Sequence, residues 1–227
     1  MEIQMSAESG NWFAAGGEVM YPLLGFSILA VALILERIIF WSKVLKRSDR
    51  VVRETLHLYR KNPSSALSLL ERNTDLPLAR IFLAALELDQ ANPEEFRLAL
   101  ESAAQSEIPL LKRFSTTFET IISLAPLLGL LGTVLGLIRS FASLTLGTAG
   151  GKNTIEVTGG VSEALISTAS GLGVAIFTLL FANSFRGLYL RQLALIQEYG
   201  GQLELLHRRR SDGGRGARYI PTESPRQ

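Results

Sequence analysis

Three long apolar blocks stand out along an otherwise charged chain: Val19–Trp41, Ser115–Ser143 and Gly159–Phe185. Each is long enough for a tilted helix to cross a hydrocarbon core of roughly 30 Å. Between the first two, residues 42–114 change character. Apolar residues there recur at helical intervals, at Leu67 and Leu70 and again at Ile81, Ala84, Ala85 and Leu88, which predicts amphipathic helices. Asn62-Pro63 and Asn92-Pro93 each place a capping side chain before a proline suited to the first helical position, and Glu95 completes a capping-box spacing after Asn92. The pattern predicts an all-α membrane protein: a short segment 1–18, spans at 19–41, 115–143 and 159–185, a helical domain at 42–114, an outer loop at 144–158 and a helical continuation at 186–210. The Gly-, Arg- and Pro-rich tail 211–227 is expected to be disordered.

Charge gives this layout an orientation. Residues 1–18 carry no Lys or Arg and the 144–158 loop carries only Lys152, whereas Lys43–Arg113 carries twelve and the chain from Arg186 onward carries eight, together 20 of the 23 basic residues. By the positive-inside rule the segments 42–114 and 186–227 are cytoplasmic, with the N-terminus and the second loop outside. A cleaved signal peptide is the rival reading of the first block. It is disfavoured because the preceding residues lack a basic stretch and the block is long and has no small-residue cleavage site. Glu36 and Arg37 fall where they can reach headgroups, and Trp41 suits the interface belt. With basic and acidic residues nearly balanced in the helical domain, the pI near 9.0 reflects topology and not a nucleic-acid footprint.

Several chemistries are excluded by composition or spacing. The chain has no cysteine, so disulfides, thiolate metal sites and thiol catalysis fall away. His57 and His207 lie far apart in charged segments and are expected to be solvated. The loop Gly147–Asn153 resembles a phosphate-binding loop, but Leu146 stands where its first glycine belongs and Asn153 replaces the hydroxyl residue. Gly171-x-Gly173 lacks both a third glycine and a preceding strand. No Ser/His/Asp arrangement and no metal-ligand cluster is present, so neither an enzyme, a cofactor nor a metal site is expected.

What remains is a polar constellation inside the spans. Glu163 is the sole acidic residue between Val157 and Phe185. A carboxyl group at the centre of a bilayer costs roughly 2.5–3.5 kcal/mol even on lenient insertion scales, so such groups face a protein interior or a water path. The bland alternative places it at the outer interface, reaching water. On the third span Gly160, Glu163, Ser167, Thr168, Gly171 and Thr178 share one face. On the second span Ala125, Gly129, Gly132, Gly136, Ser140 and Ser143 form a stripe of small residues with Thr133 at its edge. Small stripes let helix backbones approach closely in lipid. Two such faces from one chain cannot enclose a pore, whereas several copies in a ring can. Pro126 removes one helical hydrogen bond and is expected to bend the second span.

At this point the chain resembles the ExbB/TolQ/MotA proton-channel family. The residues that carry the resemblance are LAPLLGLLGTVLGLI (Leu124–Ile138) and VSEALISTASGLGVAI (Val161–Ile176), followed by Asn183, together with Leu35-Glu36-Arg37 and the three-span layout. Within the family it is most similar to the ExbB and TolQ branches. The resemblance implies a homopentameric ring whose second and third spans line a pore. It also implies a single-span ExbD-like partner that supplies an aspartate, and a TonB-like protein that takes the output to the outer membrane. Glu163 then corresponds to the family's essential membrane glutamate and Thr133 and Thr168 to its pore threonines. Gly129, Gly132, Gly136, Ser167 and Gly171 serve pore lining and packing, and protons are the transported ion. Phe177 departs from the family, which usually has proline there. TolQ-type envelope maintenance, a secondary transporter moving a small solute past Glu163, and a passive scaffold are the competing readings.

Overall fold

The computed structural model describes residues 16–88, 91–146 and 152–216. The expectations for residues 1–15, for the 147–151 part of the phosphate-loop-like segment and for the tail 217–227 lie outside the described residues. The described elements are all helices: α1 Met20–Lys61, α2 Pro63–Glu71, α3 Pro77–Leu86, α4 Pro93–Leu111, α5 Ser115–Leu146 and α6 Lys152–Gly216. Three of these, α1, α5 and α6, contain stretches long and apolar enough to cross a membrane, and the protein is accordingly a multi-pass membrane protein. Within those stretches most of the surface is uncovered. Leu127, Leu130, Ile138, Leu165 and Leu180 are all more than half exposed, a surface that calls for lipid or further protein rather than water.

Several boundaries differ from the sequence expectation. No glycine or proline interrupts the chain between Trp41 and Lys61, and α1 passes from its apolar stretch into the charged one as a single helix of 42 residues. At 65 residues, α6 is longer still. It begins at Lys152, inside the expected outer loop, and continues through Ser211–Gly216, the first part of the expected disordered tail. It also runs through Phe177 without a break. A family-type proline there would have removed a backbone donor. In α5 the helix continues through Pro126.

The chain forms two compact units. One consists of Met1–Arg37 with Phe114–Phe185. Its core gathers Val19, Met20 and Leu23 of the first span, Ala125 of α5 and Ala175 of α6, with Leu128, Leu135 and Val174 packed against them. Arg37 does not reach outward as expected. It is 2% exposed and its guanidinium lies 5.5 Å above the Phe114 ring. Phe114 has φ 67°, a left-handed conformation that costs a non-glycine residue roughly 1–2 kcal/mol. Its carbonyl accepts from the Phe118 amide at 2.9 Å, so this strained residue also starts α5.

The other unit is Ile38–Arg113 with Arg186–Gln227. Both expected caps are present: the Asn62 side chain accepts from Ser64 N, and Asn92 and Glu95 form a reciprocal capping box. The buried side chains include Leu70, Leu78, Ile81, Phe82, Phe96 and Leu203. Trp41 is buried here, not presented at the surface, and meets Phe40 edge to face at 5.4 Å. Arg80 holds the buried Glu107 through two nitrogens, the first at 2.6 Å, while a third reaches the Thr74 carbonyl at 2.6 Å. His57 is exposed, as expected. His207 is not simply solvated. It stacks on Phe96 with centroids 4.0 Å apart, and its two ring nitrogens lie 2.9 Å from the Tyr59 hydroxyl and 3.0 Å from the Ala91 carbonyl.

Candidate functional site

The small residues of α5 and α6 meet one another, and the antiparallel pairing can be followed turn by turn. A β-carbon placed on Gly136 would lie 2.7 Å from the Gly160 carbonyl, and one on Gly132 would lie 2.3 Å from the Ser167 hydroxyl. One on Gly129 would lie 3.0 Å from the Ser167 carbonyl, and one on Gly171 would lie 2.5 Å from the Ala125 carbonyl. All four distances are shorter than ordinary carbon contacts. At Gly129, Gly136 and Gly171 backbone rests on backbone, and at Gly132 the glycine makes room for the Ser167 side chain, the close approach that drives helix association in an apolar medium.

Hydroxyl groups line this seam. Thr168 donates to the Gly129 carbonyl across the seam at 3.1 Å. Ser167, fully buried, donates to the Ala164 carbonyl of its own helix at 2.9 Å. Ser140 donates to the Gly136 carbonyl at 3.0 Å. Five of the expected pore and packing residues, Gly129, Gly132, Gly136, Ser167 and Gly171, thus join Thr168 in one intramolecular contact. Thr133 differs: its hydroxyl donates to Leu130 of its own helix at 2.6 Å.

Glu163 sits at the end of the seam nearest the α5–α6 connection, with its side chain 19% exposed. Arg139 of α5 donates to its Oε1 at 2.7 Å. Through a different nitrogen, the same guanidinium lies 3.0 Å from Oε1 of Glu18. Two carboxylates therefore share one arginine, an arrangement its planar fork of donors can satisfy. Gly17 closes the site from a third side. It has φ 69°, a conformation that favours glycine, and a β-carbon there would fall 1.7 Å from Glu163 Oε1, so a larger residue would also displace that carboxylate.

Sequence reasoning found the carboxyl group but not its partners. Arg139 lies near the far end of the second apolar block, Glu163 near the start of the third, and Glu18 immediately before the first. Three charges at matching span ends were the available signal. A pattern search within single helices could not use it, because each residue lies on a different segment. Among the described residues no group of three His, Asp or Glu is placed to hold a metal ion.

The pattern of the MotA/TolQ/ExbB proton channel family matches residues 73–198, more than half of the chain, including the whole α5–α6 seam and both Arg139 and Glu163. The chain is 64% identical over 198 residues to biopolymer transport protein ExbB-like 3 of Synechocystis, covering 87% of this chain and 94% of that protein. It is 30% identical over 201 residues to the biopolymer transport protein ExbB of Neisseria meningitidis, covering 81% and 86%. It is also 36% identical over 116 residues to the Tol-Pal system protein TolQ of Haemophilus influenzae, covering 48% of each.

Proposed function

The chain belongs to the MotA/TolQ/ExbB proton channel family, and on that premise we propose that it is an ExbB-type subunit of an inner-membrane motor that uses the proton motive force to energise TonB-dependent import across the outer membrane. The observation that carries this reading is Glu163: the third span's carboxyl group, largely withdrawn from solvent, at one end of a seam lined by hydroxyl groups. A carboxyl so placed can take a proton from one side and pass it to the other. Each proton falling through about 100 mV delivers roughly 2.3 kcal/mol, the scale of one conformational step.

The working unit in this reading is a homopentamer whose exposed apolar faces meet lipid and neighbouring copies. It encloses single-span ExbD-like subunits and passes its output to a TonB-like protein. The termini follow the basic residues, with the N-terminus periplasmic and the C-terminus cytoplasmic. No cofactor takes part. The ExbB of Neisseria meningitidis aligns over most of the chain, whereas the TolQ alignment spans about half, which supports the ExbB branch over envelope maintenance.

The test is uptake of an iron chelate driven by the proton motive force, in cells lacking the native protein and any TolQ-type substitute. Glu163→Gln keeps size and hydrogen-bonding capacity but cannot carry a proton, and is expected to abolish uptake at equal membrane abundance. Wild-type uptake by Glu163→Gln would rule out Glu163 as the carrier.

A further inference from the structure

The proton-carrier reading leaves Arg139 and Glu18 without a task, and the geometry gives them one. We infer that Arg139 is a counter-ion shared between Glu163 and Glu18, which Glu163 releases to Glu18 each time it takes a proton. This assignment rests on the proposed role of Glu163 and adds two positioning residues to it.

The argument follows from charge and reach. Arg139 meets the two carboxylates through separate nitrogens, at 2.7 Å and 3.0 Å, so neither contact excludes the other. With both carboxylates ionised, the group of three carries one net negative charge. When Glu163 takes up a proton its attraction for the guanidinium disappears, and Arg139 and Glu18 remain as a neutral pair. Without Glu18, the same step would leave an unpaired guanidinium at the edge of the apolar spans, which is costly. Arg139 therefore pairs with Glu163 while that carboxylate is charged, and Glu18 keeps the guanidinium paired once it is not. Exposure fits this division: Glu18 is 79% exposed and Arg139 45%, against 19% for Glu163. The outer partner and the cation face open surroundings, while the carboxylate is largely covered.

The experiment uses the purified full chain in lipid vesicles and dicyclohexylcarbodiimide, an apolar reagent that adds to protonated carboxyl groups. Initial labelling of the Glu163 peptide is followed by mass spectrometry at one fixed neutral pH. Loss of a charge-assisted hydrogen bond corresponds to about a tenfold change. Arg139→Gln is expected to label about tenfold faster than wild type and Glu18→Gln several-fold slower, while Arg139→Lys falls between wild type and Arg139→Gln. A residue needed only for packing would not move the two charge-removing variants in opposite directions. Changes in the same direction, unchanged rates, or no Glu163 label in any variant would overturn the assignment. Should Arg139→Gln fail to fold, the exposed Glu18→Gln decides alone: slower labelling supports the assignment, and equal or faster labelling overturns it. Labelling needs no transport. If Glu163→Gln supports normal uptake while the opposed pattern persists, the carrier reading falls and the shared counter-ion remains a property of the site with no part in transport. The reverse combination sinks the counter-ion assignment alone.

Discussion

Gly171 of α6 lies directly against the Ala125 carbonyl of α5: a β-carbon at position 171 would approach that oxygen to 2.5 Å and the Gly129 α-carbon to 3.1 Å. The obstacle is backbone on both counts, so it cannot turn away as a flexible side chain would. Gly173, two residues further on, has nothing within 4 Å of the equivalent point.

This contrast gives a paired prediction. Gly171→Ala should destabilise the helix pair by about 1–3 kcal/mol, the usual cost of overpacking a tight contact. Gly173→Ala should be neutral or stabilising by up to about 1 kcal/mol, since alanine is the better helix former and meets no obstruction. Thermal unfolding of both variants in one detergent is the measurement. Equal melting temperatures would show that α5 and α6 do not pack through this register.

In the charged unit, Glu107 is 8% exposed and its two carboxylate oxygens are both engaged by Arg80. Arg80→Met leaves a buried carboxylate without its cation, and a loss of about 3–5 kcal/mol is expected. Adding Glu107→Leu to Arg80→Met removes the stranded charge and should recover most of that loss. Denaturant unfolding of the two variants checks the sign of the second step. No recovery in the double variant would mean that the pair's geometry, and not merely its charge balance, supports the fold.

Asp49 and Tyr199 predict a pH dependence. A hydrogen bond from Tyr199 holds the Asp49 carboxyl below the usual carboxylate range, with attraction from Arg53 added and burial opposing. A depressed folded value means that the contribution is present above the ordinary carboxylate range and is lost as pH falls through the folded value. Burial, and then the Asp49 contact, push the Tyr199 hydroxyl above its usual value. Its contribution is therefore present below about pH 10 and is lost as the pH rises through the raised value. Tyr199→Phe should make the acid-side decline in melting temperature shallower. The change is held under about 1 kcal/mol by solvent screening at this exposed carboxylate. Melting curves at neutral pH and at about pH 3 measure it, and an acid decline identical in wild type and Tyr199→Phe would exclude the coupling.

Legibility in the sequence followed the range of each interaction. The spans were readable because twenty or so apolar residues in a row have few other uses, and the Asn62 and Asn92 caps because a cap is local. The helix start at Pro77 was less readable, since Leu76 before it makes no side-chain cap. The run of α6 across Gly187, Gly200 and Gly201 was legible, but its added turns at 152–158 and 211–216 were not, because the glycines that adjoin the first stretch and lie within the second weaken a helix signal without ending the helix. At the site, Glu163, Thr168 and the glycines of the α5–α6 seam were all singled out from composition and periodicity. That their faces meet within one chain was not, because periodicity identifies a face and not its partner. The Arg139 link to Glu163 spans 24 positions and belongs to tertiary structure alone.

Thr168 and Thr133 separate packing from a part in the proton path. Thr168 donates across the seam to Gly129, so its hydroxyl contributes to holding α5 against α6. Thr133 donates only within its own helix turn, to Leu130, and that carbonyl already has a helical partner. Thr168→Val should therefore lower stability by about 0.5–1.5 kcal/mol, the net worth of one hydrogen bond. Thr133→Val should stay within about 0.5 kcal/mol of wild type, as for substitutions away from such features. Uptake driven by the proton motive force is then measured on both variants at equal membrane abundance. If Thr133 serves the proton path, Thr133→Val loses uptake at an unchanged melting temperature, a combination that packing cannot produce. Full uptake by Thr133→Val, with loss confined to Thr168→Val in proportion to its instability, would remove Thr133 from the path and leave Thr168 as a seam residue.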